Sequence, residues 1–130
     1  MITNELNSVA EFHNAFRIAM TDKPTIDLPP DIIKLRFNLM KENEEYLEAA
    51  ENNDMIEVAD ALGDMLYILC GTILSHGMQH KIQEVFEEIQ RSNMSKLGED
   101  GQPIYREDGK VLKGPNYFKP NIKDILEKQA

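Results

Sequence analysis

The chain has 130 residues, 42% of them hydrophobic, which suits one domain with a modest core. A net charge of −9 and an isoelectric point near 4.8 exclude a nucleic-acid phosphate-binding surface, which needs a basic stripe. With Cys70 as its only cysteine, the chain can form neither an intramolecular disulfide nor a cysteine zinc cluster.

No basic region followed by an apolar run opens the chain, so no signal peptide is visible. The longest apolar stretch, Met65–Cys70, is far too short to span a bilayer. A cytoplasmic protein with no membrane partner and a reduced, buried thiol is the expectation.

Leu6, Val9, Phe12, Phe16 and Ala19 recur at threes and fours and predict a first helix over about 4–20. Three prolines make 22–30 a loop, and Pro29-Pro30-Asp31 resets the chain for a second helix over about 31–51. Its first half is apolar on more than one side (Ile32, Leu35, Leu39; Ile33, Phe37, Met40). That pattern predicts cover on two faces, by its own bundle and by a second subunit. Asp54 is a good N-cap for a third helix running to about His76, Glu57 stands where a capping-box acid would, and Gly77 is a natural stop. A fourth helix over about 79–96 is carried by Ile82, Val85, Phe86 and Ile89. Glycines and prolines then punctuate a long irregular segment in which Asp108-Gly109 signals a type I′ hairpin, before a short helix over 122–128. One domain over 1–130 is expected, with a helical core at about 4–97 and a loop, hairpin and short helix over 98–130.

Between Lys41 and Asp64 the chain carries nine carboxylates and one base. Glu44, Glu45 and Glu48 precede the Asn52-Asn53-Asp54 break, and Glu57, Asp60 and Asp64 follow it. Residues three or four apart share a helix face, and so short a break folds the two helices into an antiparallel hairpin. Counted from the turn, Glu48 faces Glu57 and Glu45 faces Asp60. Four carboxylates at matched levels repel one another unless a cation holds them. Oxygen donors without His or Cys favour Mg²⁺, or Mn²⁺, over zinc. Mg²⁺ shares its positions with substrate phosphates, so the pattern points to phosphate-ester or phosphoanhydride chemistry. Glu44, adjacent to the cluster, could accept a proton from water. A solvated face would account for any one of these acids, and capping alone for Glu57. The level set of four, with Asp60 and Asp64 interrupting an apolar run, is what a purely structural helix would avoid. The region from Arg91 onward holds eight bases against six acids, a counterpart for a polyanion.

Glu45-x-x-Glu48 followed by Glu57-x-x-Asp60 resembles the ExxE…ExxD signature of the all-α nucleoside triphosphate pyrophosphohydrolases, which include MazG-like proteins, dimeric dUTPases and phosphoribosyl-ATP pyrophosphohydrolases. Phe12-His13-x-x-Phe16, Leu35-Arg36, Asp60-Ala61-Leu62-Gly63-Asp64, Gly71-Thr72, 91–97 and 105–117 extend the likeness over most of the chain. It implies an all-α, four-helix bundle-type MazG-like domain with a C-terminal hairpin extension, assembled as a homodimer or homotetramer. It also implies Mg²⁺-dependent cleavage of a nucleoside triphosphate, dUTP or a non-canonical nucleotide, to monophosphate and pyrophosphate. Glu45, Glu48, Glu57 and Asp60 would be metal ligands, Glu44 the catalytic residue at the water, and Asp64 an auxiliary acid. Asn93, Lys96, His13, Phe16, Arg36 and Tyr117 would meet the substrate. Alternatives are phosphoribosyl-ATP as substrate, or a non-catalytic helical assembly. A di-iron bundle is disfavoured because no Glu-x-x-His pair exists.

Overall fold

The computed structural model describes residues 2–40 and 43–128. The described residues form six helices: α1 (Thr3–Phe16), α2 (Pro30–Leu39), α3 (Asn43–Glu51), α4 (Met55–Ser75), α5 (Ile82–Met94) and α6 (Ile122–Glu127). Their only β pairing is one antiparallel bridge, Tyr105 with Val111. The chain divides into two compact units, one ending at His80 and one beginning at Lys81.

In the first unit α1, α2 and α3 each pack on α4. The core lies at the C-terminal half of α4, where Cys70, Ile73 and Leu74 are buried with Leu6 and Val9 of α1 and Leu28 of the following loop. Each such aliphatic side chain contributes roughly 1.5–3 kcal/mol. α4 is long and apolar enough to cross a membrane by length and composition, but here it is the helix around which the unit is built.

Two helix boundaries differ from the sequence expectation. α1 ends at Phe16 because Arg17 turns left-handed (φ 58°), and its N–H returns to the His13 carbonyl. The expected 31–51 helix is two helices: α2 stops at Leu39, and α3 is described from Asn43, with residues 41 and 42 outside the described set. No glycine or proline stands near Leu39, so hydrophobic period alone reads past the end of α2.

The proline-bearing loop is stitched to the end of α4. Thr21 donates its N–H to the Leu74 carbonyl (3.1 Å) and its hydroxyl to the Ser75 carbonyl (3.0 Å). Ser75 Oγ returns a bond to the Ala19 carbonyl (2.9 Å), and Thr25 N–H reaches the His76 carbonyl (2.8 Å). Gly77 makes this approach workable, since it holds φ 69° and a Cβ there would overlap the Lys23 carbonyl.

In the second unit α5 packs with α6, and the chain between them is fastened along α5. Gly114 N–H reaches the Lys96 carbonyl (2.8 Å), Ser92 Oγ the Phe118 carbonyl (2.8 Å), and Asn121 N–H Glu88 Oε2 (2.7 Å). These bonds tie α5 to the C-terminal segment. The hairpin turn is not type I′, which needs positive φ at both central residues. Gly109 is left-handed (φ 90°) but Asp108 is not, and Gly109 N–H bonds to the Arg106 carbonyl while Arg106 N–H bonds to the Lys110 carbonyl. Asp108 instead spends its carboxylate on the Arg106 guanidinium and the Lys110 N–H. That arrangement is a three-residue loop closed by a glycine bulge.

Candidate functional site

The joint between α3 and α4 takes one left-handed residue. Asn53 has φ 55°, its N–H bonds to the Ala50 carbonyl (3.1 Å), and Asp54 N–H bonds to the Ala49 carbonyl (3.0 Å). This is a Schellman close, with Asn in the place glycine usually takes. Asp54 also opens α4, because its Oδ1 accepts the Glu57 N–H (3.1 Å). Since the Asp54 N–H is already used by Ala49, the Glu57 carboxylate is not needed for a reciprocal capping box.

This tight joint brings α3 and α4 together around a cleft of about 350 Å³ lined by Glu45, Glu48, Ala49, Asn52, Asp54, Glu57 and Asp60. On α3 the lining positions follow i, i+3, i+4, i+7, a single face. Ala49 leaves room between the acids. Sequence reasoning passed over Asn52 and Asp54 as lining residues, although Asn52 continues the Glu45–Glu48 stripe. Among the described residues no three His, Cys, Asp or Glu side chains are gathered at metal-holding distance, so the acids ring the cleft rather than clasp a point within it. The donor set is all oxygen, which fits a hard divalent cation. Glu44 lies in the first turn of α3, exposed, beside the lining face but outside it, and Asp64 lies one turn along α4 from Asp60, also exposed.

The aromatic and basic residues of the first unit are placed elsewhere. Phe16 is 66% exposed and stacks on Phe12 (4.5 Å between centroids), which meets the edge of Tyr67 at 5.6 Å. His13, one residue round the helix from Phe12, is buried instead, at 2% exposure. Its Nδ1 has no hydrogen-bond partner, and burial together with nearby Arg36 holds its pKa below the usual value. Arg36 does not pair with an acid of the cluster. It is only 5% exposed, and its Nε donates to Thr72 Oγ1 (3.1 Å) and its Nη2 to the Ile68 carbonyl (2.9 Å). Burial lowers its pKa as well.

In the second unit Asn93 is exposed in the last turn of α5, and its carbonyl accepts the Lys96 N–H (3.2 Å). Tyr117 bonds through its N–H to the Gly114 carbonyl (3.2 Å), and Lys113 Nζ lies 4.8 Å over its ring. The Asn121 N–H and Arg91 hold the Glu88 carboxyl below the usual carboxylate range, so Glu88 acts as a fastening between α5 and the C-terminal segment.

A protein of known crystal structure from Exiguobacterium sp. 255-15, a candidate NTP pyrophosphohydrolase, is 26% identical to this chain with a TM-score of 0.50. The likeness covers 92% of this chain and 90% of that one. No curated protein matches the sequence. The sequence model of the phosphoribosyl-ATP pyrophosphohydrolase family matches residues 9–93, from α1 to the end of α5 and including all four cleft acids of the ExxE…ExxD pattern. The chain therefore belongs to the phosphoribosyl-ATP pyrophosphohydrolase family, among the MazG-like all-α NTP pyrophosphohydrolases, and is a hydrolase of phosphoanhydride bonds.

Proposed function

We propose that the protein hydrolyses a nucleoside triphosphate, dUTP or a non-canonical nucleotide, to the monophosphate and pyrophosphate with Mg²⁺. The observation that carries this reading is one cleft lined together by Glu45, Glu48, Glu57 and Asp60 inside the segment that matches the family. These four side chains would hold the cation, with Mn²⁺ as a substitute. When bound, Mg²⁺ neutralises phosphate charge and makes water a better nucleophile. Water oxygen bonds to the α-phosphorus, the bond from that phosphorus to the bridging oxygen breaks, and pyrophosphate leaves. Glu44 accepts the water's proton, reaching in from the edge of the cleft by side-chain rotation. Asp64 stays an auxiliary acid one turn away. Asn93 and Lys96 would bind phosphate, and Tyr117 would close on the nucleotide. Phe16, on its exposed aromatic cluster, would stack on the base, with His13 beneath it as support.

Phosphoribosyl-ATP is the second reading, favoured by the match to the phosphoribosyl-ATP pyrophosphohydrolase family. A homodimer or homotetramer would cover the apolar side chains that α2 and α4 leave exposed, among them Ile33, Phe37, Leu62, Leu66 and Leu69. A protein of this composition belongs in the cytoplasm, free of nucleic acid and membrane.

A panel of nucleoside triphosphates and phosphoribosyl-ATP, each with Mg²⁺, tests the reading. Products are resolved as monophosphate plus pyrophosphate against diphosphate plus phosphate. Turnover of no member, or release of orthophosphate, sinks it.

A further inference from the structure

α2 buries a single residue, and that residue is an arginine. Ile33, Leu35 and Met40 are exposed, and Ile32 and Leu39 are half-buried. Arg36 instead inserts among α4 and α1. Its guanidinium spans one turn of α4, from Thr72 Oγ1 (3.1 Å) to the Ile68 carbonyl (2.9 Å), and the Thr72 hydroxyl itself donates to that same carbonyl (3.0 Å). Gly71 makes the space, because a Cβ there would overlap both Arg36 Nη2 and His13 Nε2. Among the described residues no carboxylate stands in ion-pair range of Arg36.

A buried cation without a counter-ion is a poor adhesive, since apolar side chains of similar volume commonly hold helices as well or better. What the guanidinium supplies is geometry. Apolar packing permits a helix to slide or roll, whereas a planar fork with two acceptors one turn apart fixes both the rotation and the axial position of α2. Ile68 and Thr72 continue the i, i+4 stripe of α4 that starts at Asp60 and Asp64. The chain leaving α2 leads into α3, which carries Glu45 and Glu48. α3 is thus tied to α4 at its C-terminal end by the Asn53–Asp54 joint, while its other end is reached from α2.

We propose that Arg36 is a positioning residue: its two-point attachment to Thr72 and Ile68, admitted by Gly71, sets the register of α2 on α4 and thereby the placement of the α3 carboxylates across the cleft. The link to chemistry rests on the metal-site reading above; the attachment itself does not.

The test uses the full chain with Arg36→Met, Thr72→Val and Thr72→Ser, read by hydrogen–deuterium exchange and by binding of Mn²⁺ alone. Arg36→Met keeps its melting temperature or gains. Its exchange over 30–51 rises about tenfold while α1 is unchanged, and its Mn²⁺ affinity falls by about tenfold, the scale of lost outer support at a metal site. Thr72→Val, which keeps the volume and loses the acceptor, moves the same way, and Thr72→Ser behaves as the parent. Exchange over 30–51 equal to the parent's in Arg36→Met overturns the proposal. So does a rise spread evenly over α1 and α4 with a falling melting temperature, which is the mark of packing alone. If Arg36→Met does not fold, the Thr72→Val and Thr72→Ser pair decides by the same criteria. A parent chain that binds no Mn²⁺ refutes the metal-site reading instead, and the exchange pattern still decides the role of Arg36.

Discussion

The two halves of α4 treat charge in opposite ways. At its N-terminal end Glu57 and Asp60 line an open cleft with Glu45 and Glu48, acids facing acids. At its C-terminal end the same helix turns small and apolar, and Gly71 and Thr72 admit a buried arginine and a buried histidine. Both ends gather groups that oppose each other electrostatically. Water and a cation can relieve the first, whereas only hydrogen bonds and a neutral imidazole relieve the second. A charged residue in a helical pattern therefore carries no role until its burial is known.

The largest expected effect lies at the acidic end. Glu48→Gln and Asp60→Asn should each lower steady-state turnover by about 100-fold or more, because even outer partners of metal ligands cost roughly 10–100-fold. Their melting temperatures without metal should hold or rise, as repulsion across the cleft is relieved. Turnover within a few-fold of the parent would remove the cleft from the chemistry.

The buried end should answer in stability rather than activity alone. Gly71→Ala pushes a Cβ into the Arg36 and His13 nitrogens, and overpacking of this kind costs about 1–3 kcal/mol. At this chain length that is a fall of about 4 °C per kcal/mol in a thermal melt. An unchanged melting temperature would mean that the three helices yield freely there.

The joint that sets the cleft can be tested residue by residue. Asp54→Ala removes the acceptor of the Glu57 N–H and should cost about 1 kcal/mol. Asn53→Ala keeps a Cβ in the left-handed region but loses the short polar side chain that lets asparagine adopt it, worth roughly 1 kcal/mol, whereas Asn53→Gly should stay within about 0.5 kcal/mol of the parent. Chemical denaturation distinguishes the three. Equal effects for Ala and Gly at 53 would contradict a conformational role.

The smallest effect is a slope with pH. Burial and Arg36 lower the pKa of His13 from its usual 6.5. The unfolded chain takes up a proton near that value and the folded chain resists, so this contribution to stability is whole above pH 6.5 and is lost as pH falls through the folded-state pKa. Denaturation midpoints of the parent and His13→Gln should converge as the pH is lowered. A gap between them that stays constant from pH 7 to pH 5 would show that His13 titrates as freely folded as unfolded.

The acids were legible because helical spacing survives in one dimension: Glu45, Glu48, Glu57 and Asp60 announce two faces and a turn before any coordinates are drawn. Asn52 and Asp54 were legible only as turn and cap, since lining a cleft depends on how closely two helices meet. The first helix was read from Leu6 and Val9, yet its stripe was continued through Phe12 and Phe16 when His13 is the residue buried. Those positions lie one step apart on the helix, and hydrophobicity favours the phenylalanines. Gly71 on α4 leaves the space that His13 takes.

By itself the sequence determined what local forces control: the helices, the caps at Asp54 and Gly77, the acidic stripe, and the absence of sulfur and imidazole from its donors. Tertiary structure alone decided which charges are wet and which are dry. It buried Arg36 against Thr72 and the Ile68 carbonyl, ended α2 at Leu39, and exchanged a type I′ turn for a bulged one. Spacing along a chain fixes a direction, but burial is set by what arrives from elsewhere.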